Sequence, residues 1–149
     1  MMSGGTSNFF VLRMPAKAEN LGIARLAVAA LAGQLDFTLH DLEEIKIAVN
    51  EAVTNVVVHA YPAGPGLLTL EAEIGEQGLT VTVSDEGIGI ADIGQARQAA
   101  YSSDPERMGM GFTFMETFMD DLQVVSTPGE GTTVIMRKHL VKAPVPSPS

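Results

Sequence analysis

Glu51 and Asn55 stand four residues apart in a stretch with helical periodicity, so both side chains leave one side of the helix about a turn from each other. A carboxylate can take a proton, an amide oxygen can hold a hard cation, and at this separation the two can share one ligand. Their neighbours leave two readings open. Lys46, Asn50, Glu51, Thr54 and Asn55 compose the wet face of an amphipathic helix, or, because Ile47, Ala48, Val57 and Val58 lie among them, they line a half-covered cleft. Asp85 ends an alternating run in which Leu79, Val81 and Val83 share its face, which aims its carboxylate toward the covered side. A carboxylate placed there needs a donor: the turn that follows, a protein cation, or an amino group on a ligand. In Asp85-Glu86-Gly87-Ile88-Gly89-Ile90 the two glycines fall where the chain must turn tightly or come close to a flat ligand. Gly109-Met110-Gly111 precedes Phe112 with Arg107 beside it, and a glycine turn feeding a helix N-terminus presents unpaired amides to an anion. That pattern matches neither a Walker P-loop nor a Rossmann fingerprint.

The elements that must position these residues are legible in the periodicity. Phe9 to Met14 is apolar and β-favouring and ends at Pro15, an opening strand. Asn20 offers a cap to a first helix over Leu21 to Leu35, and Asp41 to a second, whose stripe of Leu42, Ile45, Val49, Val53 and Val56 runs to the Tyr61-Pro62 break. Leu68 to Ile74 and Leu79 to Val83 alternate strictly around a turn at Gly75 to Gly78, an antiparallel hairpin with one covered face. The glycine-punctuated stretch from 84 to 111 holds a short helical pattern at Ile93 to Ala99 among irregular segments, and long loops in small domains are usually functional. A helix over Phe112 to Met119 and strands over Leu122 to Ser126 and Thr132 to Arg137 close the fold. The order is α+β with a largely antiparallel sheet. We expect a single domain over residues 1–140 and a disordered tail over 141–149, where Pro144, Pro146 and Pro148 fall.

Composition narrows the function classes. A chain of 149 residues with 46% hydrophobic and 18% charged residues has ordinary globular composition. Its formal charge of −9 repels phosphate backbones and anionic membrane surfaces, so direct nucleic-acid or membrane binding is not expected. The absence of cysteine excludes disulfides and thiolate metal sites and fits a reducing cytoplasm, and His40, His59 and His139 show no metal spacing. No signal peptide is visible, and no uncharged apolar stretch approaches the roughly 20 residues a spanning helix needs. The expectation is a soluble, cytoplasmic protein.

Taken in order, Glu51-Ala52-Val53-Thr54-Asn55, Asp85-x-Gly87-x-Gly89, Gly109-x-Gly111 and Gly131-Thr132-Thr133 resemble the motifs of the GHKL ATPases, which implies a Bergerat-type two-layer α/β sandwich: a mixed, mostly antiparallel sheet with helices on one face. Glu44-Ile45-Lys46, His59-Ala60-Tyr61, Gly109-Met110-Gly111-Phe112-Thr113, Met115-Glu116 and Phe118-Met119-Asp120 narrow the resemblance to the anti-sigma serine kinases of that superfamily, from about Phe9 to Leu140. The resemblance implies a serine/threonine protein kinase that binds ATP or ADP with Mg2+. In that scheme Asn55 holds the metal, Glu51 is the general base, and Asp85 binds the adenine amino group. Gly87 and Gly89 let the chain approach base and sugar. Gly109, Gly111 and Thr113, with Arg107, wrap the phosphates, and Thr133 completes the adenine site. Arg25 corresponds to the arginine that grips the partners. Those partners are a sigma factor, of the sporulation type or as runner-up the general-stress type, and an anti-anti-sigma factor phosphorylated on serine; a homodimer is also implied. The lid over Tyr101 to Met108 is shorter than the family form and carries Met108 where a serine is usual. Two other classes fit less of the pattern: a module in which ATP only sets partner affinity, and a detached histidine-kinase catalytic domain, for which no phosphoacceptor-histidine helix is evident.

Overall fold

The structure, a computed structural model, describes residues 5–96 and 103–141, and the side chains of all of these except 95–96 and 103–110. Five strands form one sheet in the order β1-β2-β3-β5-β4: β1 is Thr6–Pro15, β2 Leu67–Gly75, β3 Gly78–Asp85, β4 Asp121–Thr127 and β5 Gly131–His139. Every ladder among the described residues is antiparallel. The helices are α1 (Leu21–Ala32), α2 (Leu39–Asn55), the short α3 (Ile93–Ala96) and α4 (Ser103–Phe118). Helices α1 and α4 pack on α2, and α1 and α2 lie against β2 and β3, so the layers are sheet and helices.

Alternation decides which sheet face is covered. Leu68, Leu70, Ala72 and Ile74 of β2, Leu79, Val81 and Val83 of β3, and Val134 and Met136 of β5 are buried against Val28 and Leu31 of α1, Ile45, Val49 and Val53 of α2, and Phe112 and Met115 of α4. Each large side chain among them contributes about 1.5–3 kcal/mol by leaving water. The residues between them, such as Glu71, Glu73, Thr80 and Thr82, face the other side, where Phe9, Val11 and Val125 are exposed.

Several elements begin or end a few residues from where the sequence pattern puts them. The cap of α2 is Thr38, not Asp41. Thr38 Oγ1 accepts from the Asp41 amide at 3.0 Å while Asp41 Oδ2 accepts from the Thr38 amide at 3.0 Å, so Asp41 is the reciprocal partner of a capping box. Asn20 precedes α1 but makes no side-chain cap; its Nδ2 donates to the Pro15 carbonyl at 2.8 Å. The second helix does not run unchanged to Tyr61: after Asn55 the chain widens into a π turn over Val56–Ala60. The largest difference is α4, which starts at Ser103 and passes through Gly109 and Gly111, so those glycines lie inside a helix instead of forming a turn ahead of it. Pro105 falls in the first turn, where a missing amide hydrogen costs nothing, and the methionines that follow are good helix formers. The tail from 142 onward lies outside the described residues.

Candidate functional site

Two sets of elements converge on one cavity of about 440 Å³ under the helical layer. Helix α2 and its π turn supply Asn55, Val56 and His59; the end of β3 and the loop after it supply Val83, Asp85, Gly89, Ile90 and Asp92; α4 adds Phe112, and β5 adds Thr132 and Val134. The walls are mostly apolar, with a few polar groups placed among them, the make-up of a small-molecule site. Single-turn π segments recur at functional sites because they re-aim the side chains that follow, and here the π turn places His59 and Ala60 on the cavity wall.

Asp85 is half-buried. Its Oδ1 accepts from the Gly87 amide at 2.9 Å, so the carboxylate does cap the turn that follows while still facing the cavity. Burial pushes its pKa above the ordinary carboxylate value, and the amides of Gly87 and Thr132 offset only part of that. A carboxylate in this state gains from a further N–H donor brought by a ligand.

Glu51 and Asn55 meet at a single point beneath α4. A β-carbon built on the buried Gly111 would lie 3.2 Å from Glu51 Oε2 and 3.3 Å from Asn55 Oδ1. The missing side chain lets α4 come this near both polar ends without displacing them. Asn55 Nδ2 is buried with no hydrogen-bond partner, an arrangement that costs about 1–3 kcal/mol unless something else occupies the site. Asn55 Nδ2 therefore fits an acceptor such as a phosphate oxygen, while its Oδ1, turned toward Gly111 beside Glu51, is the atom whose chemistry suits a cation. Among the described residues no cluster of three or more acidic or histidine side chains is placed to hold a metal by itself. Magnesium would thus take one amide oxygen and leave its other positions to phosphate and water, as it commonly does.

Glu51 is not on the cavity wall. It lines a neighbouring groove of about 280 Å³ with Arg25, Glu43, Lys46, Ile47 and Asn50, in which Arg25 Nη1 donates to Asn50 Oδ1 at 2.9 Å. Glu51 therefore stands between the cavity and the Arg25 groove.

The glycines of the Asp85 loop have protein neighbours. A β-carbon on Gly87 would collide with the Ala60 carbonyl, and Gly89, at φ +75°, would collide with the Thr127 carbonyl. Gly89 lines the cavity while Gly87 lies outside it, on its rim. Thr133 sits on the opposite sheet face from the cavity, with its Oγ1 3.5 Å from Ser84 Oγ, and Thr132 is the residue that pairs with Asp85 and lines the cavity. The period of two that aims Asp85 inward makes Thr132, not its neighbour, share that face. Thr113 is half-buried on α4, outside the cavity wall, and accepts from Thr117 Oγ1 at 2.8 Å through its carbonyl. Arg107 and Gly109 lie in the first half of α4, and their side-chain surroundings fall outside the described residues. Residues not anticipated include His59, Phe112 and Thr132. The spacing of His59 four beyond Asn55 was the available signal.

Residues 14–138 match the family model of the histidine kinase-like ATPase domain. The anti-sigma F factor of Caldanaerobacter subterraneus subsp. tengcongensis is 46% identical over 136 residues, 90% of this chain and 95% of that protein. The anti-sigma F factor of Clostridium acetobutylicum is 47% identical over 133 residues, 88% of this chain and 93% of that protein. That of Clostridium perfringens strain SM101 is 48% identical over 132 residues, 87% and 94% respectively. Among solved structures, the histidine kinase domain of the Erythrobacter litoralis EL346 blue-light-activated histidine kinase superposes with a TM-score of 0.55 at 22% identity, over 83% of this chain and 60% of that one. That likeness supports the fold.

Proposed function

The chain belongs to the histidine kinase-like ATPase family and, within it, to the anti-sigma F factors, and from that premise we propose that it sequesters a sporulation sigma factor and uses Mg-ATP to phosphorylate a serine of an anti-anti-sigma protein. The observation that carries this reading is the buried amide of Asn55, its Nδ2 without a partner, meeting Glu51 and Gly111 beside an apolar cavity whose wall also holds the Asp85 carboxylate, its pKa raised by burial.

The apolar walls would hold the adenine ring, with Asp85 accepting from its amino group and Thr132 beside it, and Asn55, the glycines of α4, Thr113 and Arg107 would hold the phosphates. Bound Mg2+ supplies charge neutralisation on the phosphates. Glu51 accepts the proton of the incoming serine hydroxyl as that oxygen bonds to the terminal phosphorus and ADP leaves. Its place between cavity and Arg25 groove suits this role, because a protein substrate seated on Arg25 presents its serine from the side opposite the nucleotide. Electrostatic and positional terms dominate such transfers, so few protein groups are needed. A homodimer, seated on exposed apolar side chains such as Ile23 and Leu26 of α1 or Phe9 and Val11 of the outer sheet face, and a cytoplasmic location complete the proposal. No helix among the described residues is long and apolar enough to cross a membrane.

Single-turnover assays with labelled ATP and an anti-anti-sigma protein test this. Labelled serine with the parent, and none with Glu51→Ala despite retained nucleotide binding, is the expected result. No label from the parent at saturation means that ATP only sets partner affinity, and full transfer by Glu51→Ala removes the base assignment.

A further inference from the structure

The segment after the π turn makes a set of contacts that the nucleotide roles above do not use. The Tyr61 hydroxyl donates to the Leu67 carbonyl at 2.5 Å and accepts from the Glu86 amide at 2.9 Å. Because its hydrogen is committed to Leu67, a lone pair of the phenol oxygen is left for Glu86. The ring itself is pinned: a β-carbon on Gly66 would run into it, so the chain crosses its face with no room to spare. Next to it, Ala60 accepts from the Ile88 amide at 2.9 Å and packs against Gly87.

We propose that Tyr61 is a positioning residue for base recognition, its hydroxyl fixing the peptide plane between Asp85 and Glu86 and so the direction in which the Asp85 carboxylate points. This rests on the reading of Asp85 as the acceptor of the adenine amino group. Tyr61 lines the rim groove and not the nucleotide cavity itself, so its action on the base runs through Asp85. Leu68 pairs with Asp85 across β2 and β3, and the phenol ties the start of one strand to the end of the other where the ladder stops. Beyond that ladder the first half of the loop is held by the Ala60 carbonyl, one residue earlier in the chain, while Asp85 also pairs with Thr132 of β5 and its carboxylate accepts from the Gly87 and Thr132 amides. The loop's other end is held separately, by the Ile90 amide on Ser126 Oγ at 2.7 Å and the Gly129 amide on the Ile88 carbonyl at 2.7 Å. Loss of the phenol oxygen therefore loosens the Asp85 end selectively.

The test is Tyr61→Phe in the full chain, which keeps the ring on Gly66, titrated with Mg-ATP and with Mg-ITP. The inosine base carries a carbonyl where adenine has its amino group, so ITP gains nothing from a well-aimed Asp85. The parent should prefer ATP. In Tyr61→Phe, ATP affinity should fall about five- to tenfold, the range of one lost hydrogen bond, while ITP affinity changes less, so the ratio narrows. Asp85→Asn should already lack the preference, and adding Tyr61→Phe to it should narrow nothing further. Equal losses for both nucleotides mean general loosening and overturn the inference, as does an unchanged ratio in a parent that prefers ATP. A parent that binds neither nucleotide overturns the nucleotide reading itself, and this inference with it.

Discussion

Replacing Gly111 with alanine sets stability against activity at the point where α2 and α4 meet. Gly111 is buried within a helix, where alanine is favoured over glycine by about 1 kcal/mol. The added methyl would stand 3.2 Å from Glu51 Oε2, 3.3 Å from Asn55 Oδ1 and 3.5 Å from Asn55 Nδ2, a few tenths of an ångström inside ordinary contact for the nearer two. All three atoms are the far ends of side chains, so they can give way without moving backbone. The fold should therefore keep most of the helical gain, and a domain of this size should melt about 2–4 °C higher. The same methyl fills the space into which Glu51 and Asn55 both reach. A 1 Å misplacement of groups that must align a hydroxyl with a phosphate costs on the order of a hundredfold in rate, so a shift of a few tenths of an ångström should cost about three- to fivefold. Thermal melting without nucleotide and single-turnover phosphate transfer read the two effects separately. An alanine variant with parental transfer and parental magnesium-dependent binding would show that the phosphates do not lie at the α2–α4 contact.

Two further outcomes follow from the same geometry. Thr132→Val should weaken ATP binding by about three- to tenfold, through loss of a hydroxyl on the cavity wall, whereas Thr133→Val, on the other sheet face, should leave it unchanged in the same titration. The raised pKa of Asp85 means that the native state keeps this proton to higher pH than the unfolded chain does. Its contribution to stability therefore falls as pH rises from the ordinary carboxylate value through the raised one. Asp85→Asn should melt above the parent on the high side of that window and approach it on the low side, in melting curves collected across pH without ligand.

Most of the fold was legible because alternation and the 3.6 period are dictated locally: the apolar positions between Leu68 and Ile74 and between Leu79 and Val83, and the Ile45-Val49-Val53 stripe, all became core. Site residues that depend on a single helix were equally accessible, since Glu51 and Asn55 must share a face once α2 forms. What escaped was pairwise. The choice between Thr132 and Thr133 depends on the register of β5 against β3, which no local pattern states. Gly87 and Gly89 look alike as small residues, yet their partners, Ala60 and Thr127, come from distant segments. The π turn has no composition of its own, and Gly109 and Gly111 mimic a turn where tertiary packing on α2 allows a helix. Asp41 has the composition of a cap, but Thr38 three residues earlier is the cap and Asp41 completes the reciprocal pair.

The account stands or falls on whether Asp85 and Asn55 hold opposite ends of one nucleotide, and calorimetric titration of ATP with and without magnesium into the parent, Asp85→Asn and Asn55→Ala asks this directly. The parent should bind more tightly with magnesium, Asp85→Asn should lose affinity in both conditions, and Asn55→Ala should lose the difference that magnesium makes. Parental affinities and parental magnesium dependence in both variants would contradict it.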